Sequence, residues 1–143
     1  MTEFSKVTED FYVSPQIEVE DLDLAVKEGF EAIIMNRPDG ESPGQPELSD
    51  IVSRARDLSL PFIHIPITAA PQAEDIQATL EALDELKGKK VLAFCRSGTR
   101  SVTLWAYAKV VSGEMGTDAA LTAAQGAGYD LSGHRPVLDS LSR

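Results

Sequence analysis

The chain has 143 residues, 43% of them hydrophobic and 25% charged, which are the proportions of one globular domain with a full core. A net charge of −10 disfavours DNA or RNA as a partner, because a phosphate backbone needs basic surface. One cysteine excludes an internal disulfide and suits a reducing compartment, and no apolar run approaches the roughly 18 residues that span a membrane.

Met1 to Lys6 lacks a basic region followed by an apolar run, so no signal peptide is expected and the cytoplasm is the expected location. Phe11-Tyr12-Val13 is a short β-prone run closed by Ser14-Pro15, and it reads as an edge strand. Glu18 to Glu28 reads as a helix with Val19, Leu22, Ala25 and Val26 on its apolar face and acids in its first turn. Gly29 ends it, and Phe30 to Met35 follows as a buried strand. Asn36 to Pro46 is the longest loop, rich in turn formers and carrying Asn36, Arg37, Asp39 and Glu41. Glu47 to Leu58 reads as a helix, and Leu60 to Ile65 as a strand in which His64 is a structural residue. After the loop Pro66 to Pro71, Glu74 and Asp75 open a helix whose face is Ile76, Leu80, Leu83 and Leu86. Val91 to Phe94 is apolar without alternation, as a central strand would be. The helix beyond it runs to about Ser112, with Trp105 in the core. Ala119 to Ala127, capped by Thr117-Asp118, and a last short helix with Val137, Leu138 and Leu141 inward complete the chain.

Helix follows strand repeatedly. This predicts a three-layer α/β fold, one domain over residues 1–143, with a central, mainly parallel sheet flanked by helices. The loops after Met35, Ile65 and Phe94 then leave the same edge of the sheet and can meet.

One of these loops concentrates chemistry. Cys95-Arg96-Ser97-Gly98-Thr99-Arg100-Ser101 reads as strand end, tight loop and helix start. That arrangement aims backbone N–H groups and the positive end of a helix dipole at one spot. Cys95 stands at its base and Arg100 at its rim, where a thiolate gains from both. A lone cysteine closing a buried strand is usually a core residue. Two arginines, three hydroxyls and Gly98 within the same short run turn the reading towards function. His64 and His134 are far apart in sequence, so neither a metal site nor a cofactor is expected. Two chemistries fit the loop. In one, Cys95 attacks a phosphate monoester and forms a phosphocysteine while Arg100 and the loop N–H groups hold the oxygens. In the other, Cys95 accepts a sulfane sulfur as a persulfide.

The cysteine loop, the run Asn36-Arg37-Pro38-Asp39-Gly40-Glu41 and the lead-in Tyr12-Val13-Ser14-Pro15-Gln16 together resemble the beta-lactamase-hydrolase-like phosphatase family, DUF442. The resemblance covers about Phe11 to Leu131 and implies a fold like that of small dual-specificity protein tyrosine phosphatases. It implies Cys95 as nucleophile and Arg100 as anion clamp, with Arg96, Ser97, Gly98, Thr99, Ser101, Asn36 and Arg37 binding substrate. A phosphorylated protein or small molecule, or a sulfane-sulfur donor, is the partner implied. Two departures stand out. Tyrosine phosphatases space the cysteine and arginine by one residue more, and the shorter spacing here resembles that of rhodanese sulfurtransferases. Ala69 falls where those phosphatases carry a general-acid aspartate, which leaves Asp75, Glu74 and Asp39 as carboxylates able to protonate a leaving group. A phosphatase-like hydrolase is the preferred reading. A sulfurtransferase, and an anion-binding module in which Cys95 is idle, are its alternatives.

Overall fold

The structure is a computed structural model and describes residues 4–142. Five strands form one sheet: β1 (Ser5–Thr8), β2 (Phe11–Ser14), β3 (Ala32–Met35), β4 (Phe62–His64) and β5 (Val91–Phe94), in the order β1-β2-β5-β3-β4. β1 pairs antiparallel with β2, and every other pairing is parallel. The helices are α1 (Asp21–Lys27), α2 (Leu48–Asp57), α3 (Ala73–Glu85), α4 (Thr99–Ser112), α5 (Thr117–Gly126) and α6 (Arg135–Leu141), the last entered through a 3-10 turn at Ser132–His134.

β5 is the middle strand, as its unbroken apolar sequence predicts. Its side chains alternate between two cores. Leu92 and Phe94 join Ile33 and Met35 against Leu22 and Ala25 of α1 and Ile51 and Ala55 of α2. Val91 and Ala93 join Val13, Ala32 and Ile34 against α3, α4, α5 and α6. α4 lies deepest. Ser101 through Ala108 are all buried, and Trp105, 1% exposed, stacks on Phe11 with ring centroids 5.8 Å apart. A helix covered on all sides loses its amphipathic pattern, which is why apolar residues run around α4.

Three expectations change. The Phe11 to Val13 strand is not an edge, because β1 covers it. β1 buries only Val7 and therefore shows little pattern in Ser5-Lys6-Val7-Thr8. Val137 of α6 and Val26 of α1 point outward, 46% and 40% exposed, since each short helix buries a narrower stripe than its sequence offers. No described helix is long and apolar enough to cross a membrane.

Candidate active site

The C-terminal ends of the parallel strands are level. Ser14 pairs with Phe94, Phe94 with Met35, and Met35 with His64, so the segments that follow start at one height on one edge. Bonds continue past the strands: Asn36 N–H donates to the Phe94 carbonyl at 2.8 Å, Gln16 N–H to that of Arg96 at 3.2 Å, and Ile67 N–H to that of Asn36 at 3.2 Å. The three loops expected to meet do meet, and a fourth, after β2, joins them through Gln16.

The cysteine loop lies at the centre. Cys95 has no solvent exposure, and its Sγ accepts the Gly98 N–H at 3.1 Å. Gly98 immediately precedes α4 with φ +97°, a left-handed conformation that glycine adopts without steric cost. Among the described residues, the Ser97, Arg100 and Ser101 N–H groups donate to no backbone carbonyl. Such free donors at a helix start favour an anion. Thr99 N–H is taken by Ser97 Oγ at 3.3 Å. Arg96, Ser97 and Thr99 are exposed at the rim, and Arg96 makes no ion pair among the described residues. Ser101 is buried, and its Oγ has no hydrogen-bond partner among the described residues.

Arg100 is held by groups distant in sequence. Its Nη1 and Nη2 donate to Glu41 Oε2 and Oε1 at 2.9 and 2.8 Å, a two-pronged bond, and Nη1 also donates to the Ile67 carbonyl at 2.8 Å. A guanidinium has five N–H donors. Those left are Nε–H and one Nη2–H, which share one edge and match two oxygens of an anion. The bond to Glu41 raises the Arg100 pKa; burial opposes this, and the nearby charge of Cys95 adds to it. Glu41 is held from behind as well, by Arg37 Nε at 2.7 Å. Arg37 is 4% exposed and completes its bonding with Gln16 Oε1 at 3.1 Å and Ser42 Oγ at 3.0 Å. Hydrogen bonds from Arg100 and then Arg37 carry the Glu41 carboxyl from its ordinary 4.5 down to about 2, against the opposing effect of burial.

The remaining expected site residues have other partners. Asn36 donates its side-chain amide to the Ile65 carbonyl at 2.9 Å, and Arg37 serves Glu41. Asp39 Oδ1 accepts the Leu48 N–H at 2.9 Å at the start of α2. Asp75 Oδ2 accepts the Gln72 N–H at 2.8 Å at the start of α3, and Glu74 is exposed beside it. His64 Nε2 donates to the Arg37 carbonyl at 2.8 Å, a structural tie as expected. Gln16, the last residue of the Tyr12 to Gln16 lead-in, belongs to the site through Arg37. Ile67 and Tyr129, whose hydroxyl donates to the Ser97 carbonyl at 2.9 Å, belong to it as well and have no local sequence signal. Among the described residues, no group of acids, histidines and cysteine is placed to hold a metal ion. A groove of about 340 Å³ lined by Phe11, Leu83, Lys87, Trp105 and Lys109 opens at the other end of the sheet and includes neither Cys95 nor Arg100.

Comparison with known proteins gives a consistent picture. The model of a family described as beta-lactamase hydrolase-like protein, phosphatase-like domain, matches residues 3–112. Beta-lactamase hydrolase-like proteins of Xylella fastidiosa (strain Temecula1) and Agrobacterium fabrum are both 32% identical to the chain, over 87% and 77% of it. The chain spans only 29% and 26% of their lengths. A crystal structure of a provisionally assigned phosphatase from Neisseria meningitidis is 34% identical, with a TM-score of 0.81 over 96% of both chains. Tk-PTP in its active form, 23% identical, superposes with a TM-score of 0.71 over 94% of this chain and 92% of that one, a likeness of fold.

Glu41→Gln tests the clamp. Because the folded carboxyl is depressed to about 2, its contribution to stability is present above the ordinary value of 4.5 and is lost as pH falls through about 2. Urea unfolding at a series of pH values should therefore find the variant less stable near neutrality and the gap closing in acid. A gap independent of pH contradicts the ion-pair assignment.

Proposed function

Since the chain belongs to the phosphatase-like domain family of beta-lactamase hydrolase-like proteins, we propose that it is a cysteine-dependent phosphatase with Cys95 as nucleophile. The thiolate attacks the phosphorus of a monoester. An S–P bond forms, the ester P–O bond breaks, and the alcohol departs with a proton drawn from water, which the hydrolysis step returns. Water then hydrolyses the phosphocysteine, releasing inorganic phosphate and restoring the thiolate. The free Nε/Nη2 edge of Arg100 and the loop N–H groups stabilise the oxygens while charge moves through them.

The observation that carries this reading is the orientation of Arg100. Glu41 and the Ile67 carbonyl occupy three of its five donors and leave a two-donor edge for an anion beside Cys95. Because Cys95 is closed off from solvent, a substrate reaches it only when the rim of the loop gives way. Substrates are phosphorylated proteins or small molecules, no cofactor takes part, and a reducing cytoplasm keeps the single thiol active. In proteins as long as the curated relatives, this domain supplies one activity beside whatever the remaining length contributes.

A second reading has its own support. Only four residues separate Cys95 from Arg100, and the Gly98 N–H bonds the sulfur itself. A donor there would equally steady a persulfide, so a sulfane-sulfur donor is the alternative substrate. Purified protein given an aryl phosphate, and separately thiosulfate with cyanide, decides between them with Cys95→Ser beside it. The phosphatase reading expects phosphate release by the native protein and none by the variant. Turnover of the sulfur donor alone, abolished by Cys95→Ser, rejects it. No turnover of either, with anion binding retained by the variant, leaves a binding module.

Asp75 provides a separate test. Its carboxylate serves the start of α3, so Asp75→Asn should lower stability by about 1 kcal/mol and leave hydrolysis of an activated aryl phosphate within a few-fold of native. A loss of about 10²–10⁴-fold would instead make it the general acid.

A further inference from the structure

The peptide unit joining Ser97 to Gly98 is held at both ends. Its N–H donates to Cys95 Sγ at 3.1 Å, and its C=O accepts the Tyr129 hydroxyl at 2.9 Å. A trans peptide is planar, with C=O and N–H pointing in opposite directions. Whatever fixes the oxygen therefore also fixes the hydrogen. Without that restraint the unit is free to turn over, because Gly98, at φ +97°, tolerates the backbone change required. A flipped unit presents its carbonyl oxygen to the sulfur. That sets the negative end of a dipole against a thiolate.

Tyr129 is placed to hold the unit in its present sense. Its phenol lies so close to Gly98 that a Cβ there would come within 2.1 Å of the hydroxyl oxygen. Its own N–H donates to the Ala124 carbonyl at 2.9 Å, after Gly128 at φ +97° has turned the chain out of α5. The ring packs against the core that α5 shares with α4. Burial, with a further contribution from the charge at Cys95, raises the Tyr129 pKa, so the hydroxyl remains a donor at neutral pH.

We propose that Tyr129 is a positioning residue for Cys95, fixing the Ser97–Gly98 peptide so that its N–H rather than its C=O faces the sulfur. It acts through that peptide and not on the substrate. It also lies beyond residues 3–112, which the family model matches. The proposal rests on Cys95 being a nucleophile and holds whether the group it accepts is phosphoryl or sulfur.

Tyr129→Phe removes the hydroxyl and keeps the ring. Tyr107→Phe is the control: it too loses one tyrosine hydroxyl bond, 2.7 Å to His134 Nδ1, but that bond ties α4 to the turn before α6 and does not touch the loop. Cys95 is the chain's only cysteine, so the ultraviolet thiolate absorbance, taken as the difference from Cys95→Ser over a pH series, belongs to it alone. The thiolate-to-thiol ratio should fall about five-fold in Tyr129→Phe, the effect of one ordinary hydrogen bond. It should not change in Tyr107→Phe, while the thermal midpoints of the two variants drop by similar amounts. A native ratio in Tyr129→Phe, or a fall in both variants in step with their midpoints, overturns the proposal. A native protein with no thiolate signal near neutrality refutes the nucleophile itself, and the proposal with it. That result is distinguishable from the others because it is read before any variant is made.

Discussion

The Glu41 carboxylate sits between two arginines, and the site depends on it. Arg37 is nearly excluded from solvent, and a buried guanidinium without a counter-charge is strongly destabilising. Glu41 supplies that charge through Oε1 and orients Arg100 with both of its oxygens. One side chain therefore answers to folding and, on the proposed function, to chemistry as well. If the carboxylate moves, Arg37 loses its partner and Arg100 loses its direction. This dual demand explains why a loop of turn-forming residues is so heavily bonded, with Gln45 donating to the Pro38 carbonyl and Asp39 accepting from Leu48. The loop is a bracket for two cations.

The sheet makes such a bracket possible. Its parallel strands end level, and β5 stands between β2 and β3, so the cysteine loop has a neighbour on each side. Gln16 reaches in from one side, Asn36, Arg37 and Glu41 from the other, and Ile67 from one strand further out. Tyr129 closes the remaining side from beyond α5. The site therefore draws on residues from Gln16 to Tyr129, although Cys95 and Arg100, the groups proposed to react, come from one short run.

That distribution decides what could be read in the sequence. The order of strands and helices, the central place of Val91 to Phe94, the burial of Trp105 and the meeting of three loops all follow from local pattern and the parallel topology it implies. β1 does not, since a four-residue strand with one buried side chain has almost no pattern. Nor do the outward turns of Val26 and Val137, which depend on how much neighbouring surface is available. Within the site, Cys95 and Arg100 announce themselves by proximity. The bond between Arg100 and Glu41 joins residues 59 apart, and that between Tyr129 and Ser97 residues 32 apart. No periodicity encodes such contacts. Asn36 and Arg37 stand out in the sequence as polar residues at a strand's end, and the fold uses them to build the site's frame.

A Cys95 thiolate, with the loop donors and the Arg100 guanidinium, would serve either proposed reaction, phosphoryl or sulfur transfer, and the two differ in what they would leave on the sulfur. The most direct measurement is the mass of the peptide carrying Cys95, from protein quenched in acid during turnover of an aryl phosphate. Cysteine-dependent phosphatase chemistry predicts a peptide heavier by one phosphoryl group, absent from Cys95→Ser. A peptide that remains unmodified while phosphate is released, or one that gains only a sulfur atom when offered thiosulfate and never a phosphoryl group, contradicts it.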